Sequence, residues 1–148
     1  MITEEVIERF QSNLIIIRKA VGWSGEELGD RIGVTRQTIN NLENHKCKLS
    51  KTQYLAMRSV LETEMGEYPE ETEILKVVLE VLVDNPDKYS EKDRMEVFEK
   101  TNMLSPAILN GSSSRKEVAK IWKALITGLG IMTGASIAAL IIGAWRKK

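Results

Sequence analysis

Apolar residues recur at helical spacing between Ser24 and Asn44. Leu28 and Ile32 are four residues apart on one predicted helix, and Ile39 and Leu42 are three apart on a second. The positions between them are polar or charged, so each helix has one inward face. This pattern predicts two short helices that bury their apolar faces in a common core.

Residues that start and stop helices stand where this pattern requires them. Ser24 and Glu27 form a predicted capping box at the start of the first helix. Gly33 follows that helix where a tight turn needs a positive φ, which glycine adopts without steric cost. Thr35 is placed to cap the second helix. The stretch is therefore predicted to form a helix, a glycine turn and a helix.

The outward face of the second predicted helix carries side chains suited to base edges. They are one arginine, one glutamine and three asparagines: Arg36, Gln37, Asn40, Asn41 and Asn44. Arginine makes bidentate hydrogen bonds to guanine, and asparagine or glutamine makes them to adenine. The composition of this face favours recognition of DNA.

This stretch resembles the helix-turn-helix of the Cro-like phage repressor family, of the xenobiotic-response-element type. Seven positions agree with the family's pattern of apolar residues, a small residue at the helix crossing and a turn glycine: Leu28, Ile32, Val34, Ile39, Leu42, Gly29 and Gly33. The short sequences GVTRQTI and LEN are also close to those usual in the family. The resemblance covers roughly residues 11–62. It implies an all-α fold, with a five-helix-type, lambda-repressor-like DNA-binding domain at residues 1–65.

The resemblance also implies a role for individual residues. Base readout is assigned to Arg36, Gln37, Asn40 and Asn41. Phosphate contact is assigned to Gly25, Thr38, Asn44, Lys46, Lys48 and Lys51. Arg18 and Glu43 stand where the family has a structural ion pair between its first helix and the end of its recognition helix. The chain departs from the family at His45, where glycine is usual, and at Gly25, where glutamine is common, so a phosphate contact at Gly25 must use its backbone N–H.

The flanking residues complete the predicted domain. A helix is expected to begin after Thr3 and to end at Gly22, with a buried stripe that includes Leu14, Ile17 and Val21. Trp23 is expected in the core. Ser50 and Gln53 form another capping box, which predicts a helix over residues 51–63.

Residues 66–109 are predicted to form an acidic helical segment. The apolar run within residues 70–84 allows a strand, but its length favours a helix that is buried on most of its circumference. A second helix, about 91–103, is expected to turn Met95, Phe98 and Met103 inward. These two helices alone cannot cover the run, so the first domain or a second subunit is expected to complete the packing, which favours oligomerisation.

The C-terminal third begins with a linker at residues 110–114. A last helix is predicted over residues 115–148. It contains 22 uncharged residues from Ala124 to Trp145, which span about 33 Å and predict a membrane span over residues 124–145. Trp122 and Trp145 stand near its ends, as interfacial aromatics do. Small residues recur every four positions, at Gly130, Gly134 and Ala138, which favours helix packing in a membrane. The alternative is a buried helix in a soluble oligomer.

The zero net charge of the chain hides three unequal segments. Residues 1–62 carry nine Lys/Arg against eight Asp/Glu, residues 63–100 carry five against twelve, and residues 101–148 carry seven against one. The single cysteine excludes an internal disulfide, and the single histidine leaves no evident metal site or nucleophilic dyad. We therefore expect no catalytic residues, no cofactor and no small-molecule ligand.

Two functions agree with these features. The first is a sequence-specific transcriptional regulator that binds double-stranded DNA as a homo-oligomer, with a cytoplasmic N-terminal domain and a C-terminal membrane anchor. The alternative is a membrane-acting effector, of a phage-defence or toxin-like kind, whose glycine-rich helix oligomerises. In that case the helix-turn-helix would act as a sensor or an autoregulator.

Overall fold

The computed structural model describes residues 2–128, and every regular element in this part of the chain is helical. Its α-helices are α1 Glu4–Ser12, α2 Leu14–Val21, α3 Gly25–Ile32, α4 Arg36–Glu43, α5 Lys51–Glu67, α6 Glu73–Val78, α7 Glu91–Leu109 and α8 Arg115–Lys123. Two π-helical segments, Leu79–Asp84 and Ala124–Gly128, extend α6 and α8, and a short 3-10 turn, Pro86–Lys88, precedes α7. The all-helical content agrees with the expected class.

Local sequence starts most of these helices. The side chains of Ser24, Ser50 and Ser114 accept hydrogen bonds from the backbone N–H three residues later, and each forms a full capping box. The expected single helix over residues 4–21 is instead two helices that meet at Asn13. The Asn13 amide donates to the Arg9 carbonyl oxygen at 2.8 Å, and this local side-chain bond competes with continuation of the helix.

The core of the N-terminal part joins all five of its helices. Phe10, Ile17, Leu42 and Met57 are at most 1% exposed, and Phe10 packs edge-on against Tyr54 at a ring-centre distance of 5.1 Å. Trp23 is also buried, as expected. The core places the inward faces of α3 and α4 in contact with α1, α2 and α5, so the outward face of α4 is left to solvent.

The apolar run of residues 74–83 is helical and is covered by this same chain. Leu75, Val78, Val81 and Val83 have no exposed surface. The Arg9 guanidinium donates from Nε to the Val83 carbonyl oxygen at 2.7 Å, which ties α1 to the end of the run. Of the two expected ways to cover it, packing against the first domain is the one observed.

The expected inward face of α7 is wrong. Met95, Phe98 and Met103 are 52%, 42% and 55% exposed. The face that α7 buries instead consists of small or polar residues: Asp93, Val97, Thr101 and Ser105. A buried polar side chain is tolerated when it is hydrogen-bonded. Thr101 meets this condition, because its hydroxyl donates to the Val97 carbonyl oxygen at 2.7 Å.

The expected long hydrophobic C-terminal helix is a second correction. Among residues 2–128, no helix combines the length and the apolar character that a membrane crossing requires. α8 has nine residues. Trp122, expected at a membrane interface, is fully buried and donates from Nε1 to the Thr101 hydroxyl oxygen at 3.2 Å. The remainder of the predicted span, with Gly130, Gly134 and Ala138, lies outside the described residues.

Basic residues of α8 pair with acidic residues between positions 64 and 73. Arg115 lies 2.6 Å from Glu64, and Lys123 lies 3.0 Å from Glu73, in both cases between largely buried side chains. An exposed pair joins Lys116 to Glu70 at 3.4 Å. The negative charge of residues 63–100 and the positive charge of residues 101–148 are therefore partly paired within one chain. The predicted linker between α7 and α8 is a hydrogen-bonded turn.

Candidate nucleic-acid interface

The geometry of α3 and α4 is fixed by two glycines. Gly33 ends α3 with a φ of 78°, in the left-handed region that favours glycine. Gly29 lies where the chain crosses over α3, and a Cβ atom there would stand 2.7 Å from the Val34 carbonyl oxygen. Thr35 then caps α4 by accepting a hydrogen bond from the Thr38 N–H at 3.1 Å. The two helices are thus held close together at a defined angle.

The outward face of α4 carries an ordered row of polar side chains. Arg36, Gln37, Asn40 and Asn44 are exposed, and Asn41 is half-buried. The Gln37 amide donates to Asn41 Oδ1 at 2.9 Å, and the Asn44 amide donates to Asn40 Oδ1 at 3.1 Å. Because each pair is four residues apart, the row lies along one side of the helix. Within the described residues, Arg36 makes no ion pair, so its guanidinium remains available.

The residues assigned to phosphate contact are all exposed or half-buried. Lys46, Lys48 and Lys51 are exposed and make no ion pair within the part of the chain that the structure describes. Thr38 is half-buried, and its hydroxyl lies 3.1 Å from that of Thr35. Gly25 is the first residue of α3, so its N–H has no hydrogen-bond acceptor within that helix. Exposed cations thus follow the C-terminal end of α4, while Gly25 lies beside Arg36 at the start of that helix.

The loop after α4 makes its turn at His45. The φ of His45 is 58°, so histidine adopts the left-handed conformation for which the family uses glycine. Behind this residue, the Lys46 N–H donates to the Asn41 carbonyl oxygen at 2.9 Å. The loop therefore turns as the resemblance implies, although the residue differs.

Gln11 positions the same loop, and sequence reasoning missed it. This side chain is 7% exposed and bonds three backbone groups. Its amide donates to the carbonyl oxygens of Leu42 at 3.0 Å and Cys47 at 2.8 Å, and its Oε1 accepts from the Leu49 N–H at 2.9 Å. The signal in the sequence that could have indicated Gln11 is its position, since it follows Phe10 on the buried side of α1.

Arg18 joins the end of α4 to α2. Its Nε donates to Glu43 Oε2 at 2.6 Å, and its Nη2 donates to Glu43 Oε1 at 3.2 Å, which makes the pair bidentate. The two side chains are 15% and 9% exposed. Arg18 also donates to the Trp23 carbonyl oxygen at 3.1 Å. The pair thus ties the end of α4 to α2.

The C-terminal end of α7 reaches the same side of the molecule. Ile108 and Leu109 line a groove of about 660 Å³ together with Gly25, Arg36 and Asn40. α7 approaches the first domain at Gly22, where a Cβ atom would stand 2.8 Å from Ile108. A helix from outside the predicted domain thus borders the surface that carries Arg36 and Asn40.

Residues 14–66 match the helix-turn-helix family, of the Cro/C1 type. This part of the chain is a helix-turn-helix domain. No curated protein and no solved structure matches the chain. Domains of this family bind DNA, so the match supports a role as a DNA-binding transcription regulator.

Proposed function

We propose that the protein regulates transcription by binding a specific sequence of double-stranded DNA with the outward face of α4. The observation that supports this most directly is the row Arg36, Gln37, Asn40 and Asn41, which lies opposite the buried Ile39 and Leu42. Arg36 would read guanine, and the amides would read adenine or order the row for that purpose. Insertion of the N-terminal half of α4 into the major groove brings these side chains to base edges.

Backbone contacts hold the domain in register. Lys46, Lys48 and Lys51 would meet phosphates on one side of α4, with Thr38 and Asn44 nearer the helix. The N–H of Gly25 would meet a phosphate at the start of α3, where the helix dipole favours negative charge. The Arg18–Glu43 pair would position α4 and would touch no base.

A homodimer is the proposed active form. A helix-turn-helix domain of this type reads half-sites about one DNA turn, roughly 10 base pairs, apart. Because a dimer has two-fold symmetry, its preferred site should be an inverted repeat. The DNA-binding domain would act in the cytoplasm.

Selection from a pool of random duplexes tests this proposal. The full-length protein should enrich one motif arranged as an inverted repeat, with half-site centres roughly 10 base pairs apart. The Arg36→Ala variant, selected in parallel, should enrich a more degenerate motif at one position of each half-site. Recovery of random sequence by the wild-type protein would show that it binds DNA without reading bases.

A further inference from the structure

The outward face of α7 is unusually apolar for a surface helix. Nine large apolar side chains in residues 2–128 are at least 40% exposed, and four of them lie on α7: Met95, Phe98, Met103 and Leu109. At 100° per residue, Met95, Phe98 and Leu109 fall on one stripe, and Met103 borders it. A cluster of exposed apolar side chains on one helix is typical of an interaction surface.

Two charges of opposite sign flank Met95 along α7. Lys92 and Glu99 are exposed, lie seven residues apart and therefore project from the same side of the helix. Within the described residues, neither makes an ion pair. The exposed side of α7 thus carries a positive charge before Met95 and a negative charge after it.

We propose that this face binds a second copy of the chain, with the two α7 helices antiparallel. The proposal rests on the function proposed above and identifies the surface through which the regulator dimerises. In a two-fold interface, residue i contacts residue j and residue j contacts residue i. An axis midway between these two charged residues puts Lys92 opposite Glu99 of the partner subunit twice, with Met95 beside the axis and Phe98 within one helical turn of it.

Charge complementarity is what favours a second copy as the occupant of this face. An antiparallel second copy meets the face with unlike charges at both ends of the contact, because Lys92 faces Glu99 at one end and Glu99 faces Lys92 at the other. The position of α7 agrees with this role, because its C-terminal residues Ile108 and Leu109 border the groove that contains Arg36. Pairing through α7 would therefore fix the distance between two α4 helices.

Charge reversal in the full-length protein tests the interface. Lys92→Glu and Glu99→Lys each place two pairs of like charges in the proposed dimer, and each should weaken self-association about tenfold or more in sedimentation equilibrium. An equimolar mixture of the two variants should recover association, because a Lys92→Glu subunit then faces a Glu99→Lys subunit. The double variant should also recover it. Lys76→Glu, an exposed reversal on α6, is the matched control and should leave association unchanged.

Other outcomes would overturn the proposal. A wild-type protein that stays monomeric at 100 µM would contradict it, as would association that neither single reversal weakens. Loss of association without recovery in the mixture would also contradict it, because it would indicate another surface or a different partner. Circular dichroism should show that each variant retains its helical content. Specific binding to an isolated half-site, measured on the same samples, separates this result from failure of the DNA-binding function.

Discussion

The guanidinium of Arg115 lies 2.6 Å from the carboxylate of Glu64 and links α8 to the last helix of the DNA-binding domain. The same Nη1 atom donates to the Val21 carbonyl oxygen at 3.1 Å. Both side chains are largely buried, at 15% and 10% exposure. α7 and α8 therefore pack against the helix-turn-helix domain through ion pairs as well as apolar contacts. A substitution in α8 should therefore change the stability of the whole fold.

Replacement of Arg115 by Met should destabilise the full-length protein by about 3–5 kcal/mol, because it leaves Glu64 charged, buried and without its partner. Chemical denaturation followed by circular dichroism measures the effect. Lys116→Ala is the matched control, since its pair with Glu70 is exposed and should contribute less than about 1 kcal/mol. Equal losses of stability in the two variants would show that the buried ion pair contributes no more than the exposed one.

Two glycine substitutions should have opposite effects on the free energy of unfolding. Gly29→Ala places a methyl group against the Val34 carbonyl oxygen and should cost about 1–3 kcal/mol. Gly66→Ala, in α5 with nothing within 4 Å of the new Cβ, should stabilise by up to about 1 kcal/mol. Only Gly29→Ala should weaken DNA binding, because it alters the angle between α3 and α4. A neutral Gly29→Ala would refute the close crossing.

Gln11→Met should cost about 2–4 kcal/mol, because it leaves the backbone groups of Leu42, Cys47 and Leu49 without their buried partner. DNA affinity should fall as well, since the loop that carries Lys46 and Lys48 loses its attachment to α1. Glu8→Met, an exposed change on the same helix, is the control and should stay within about 0.5 kcal/mol of wild type. Unchanged stability in Gln11→Met would contradict a positioning role for this side chain.

Arg36→Ala should weaken binding to the selected site by about 1–3 kcal/mol and should relax preference at one base pair. Binding to random duplex should change much less, because the lost contact is to a base. Fluorescence anisotropy at fixed salt concentration compares the two DNAs. An equal loss on both would identify Arg36 as a phosphate contact.

Lys48→Ala should weaken binding to all sequences alike and should lower the slope of log K against log salt by about one unit. The physical reason is that each neutralised phosphate releases its condensed counterion. Titrations at several salt concentrations measure the slope, and Lys76→Ala, an exposed lysine on α6, should leave it unchanged. An unaltered slope in Lys48→Ala would remove this residue from the interface.

The sequence by itself determined the helix-turn-helix. Its start signals act within three residues, as in the Ser24–Glu27 capping box, and its turn depends on the backbone freedom of Gly33 alone. Its apolar residues Ile39 and Leu42 are only three positions apart, and both side chains are buried as expected. Short-range interactions of this kind are encoded in consecutive residues, so reading them required no knowledge of the rest of the fold.

Only the tertiary structure decided which face of α7 is buried. Hydrophobicity favoured Met95 and Phe98, yet α7 buries Val97 and Thr101. The reason is a partner distant in sequence, since the indole of Trp122 from α8 donates to the Thr101 hydroxyl oxygen. A polar residue becomes suitable for the core once such a partner satisfies it, and the local pattern does not contain that partner.

The same limit explains the basic residues of α8. Arg115 and Lys123 stand beside an apolar run, and sequence alone cannot separate the flank of a membrane helix from one side of an ion pair. The fold brings them to Glu64 and Glu73, each about 50 residues away along the chain. Coulomb attraction depends on distance in space, so the pairing of these charges was decided by the packing of α8 against α5 and α6.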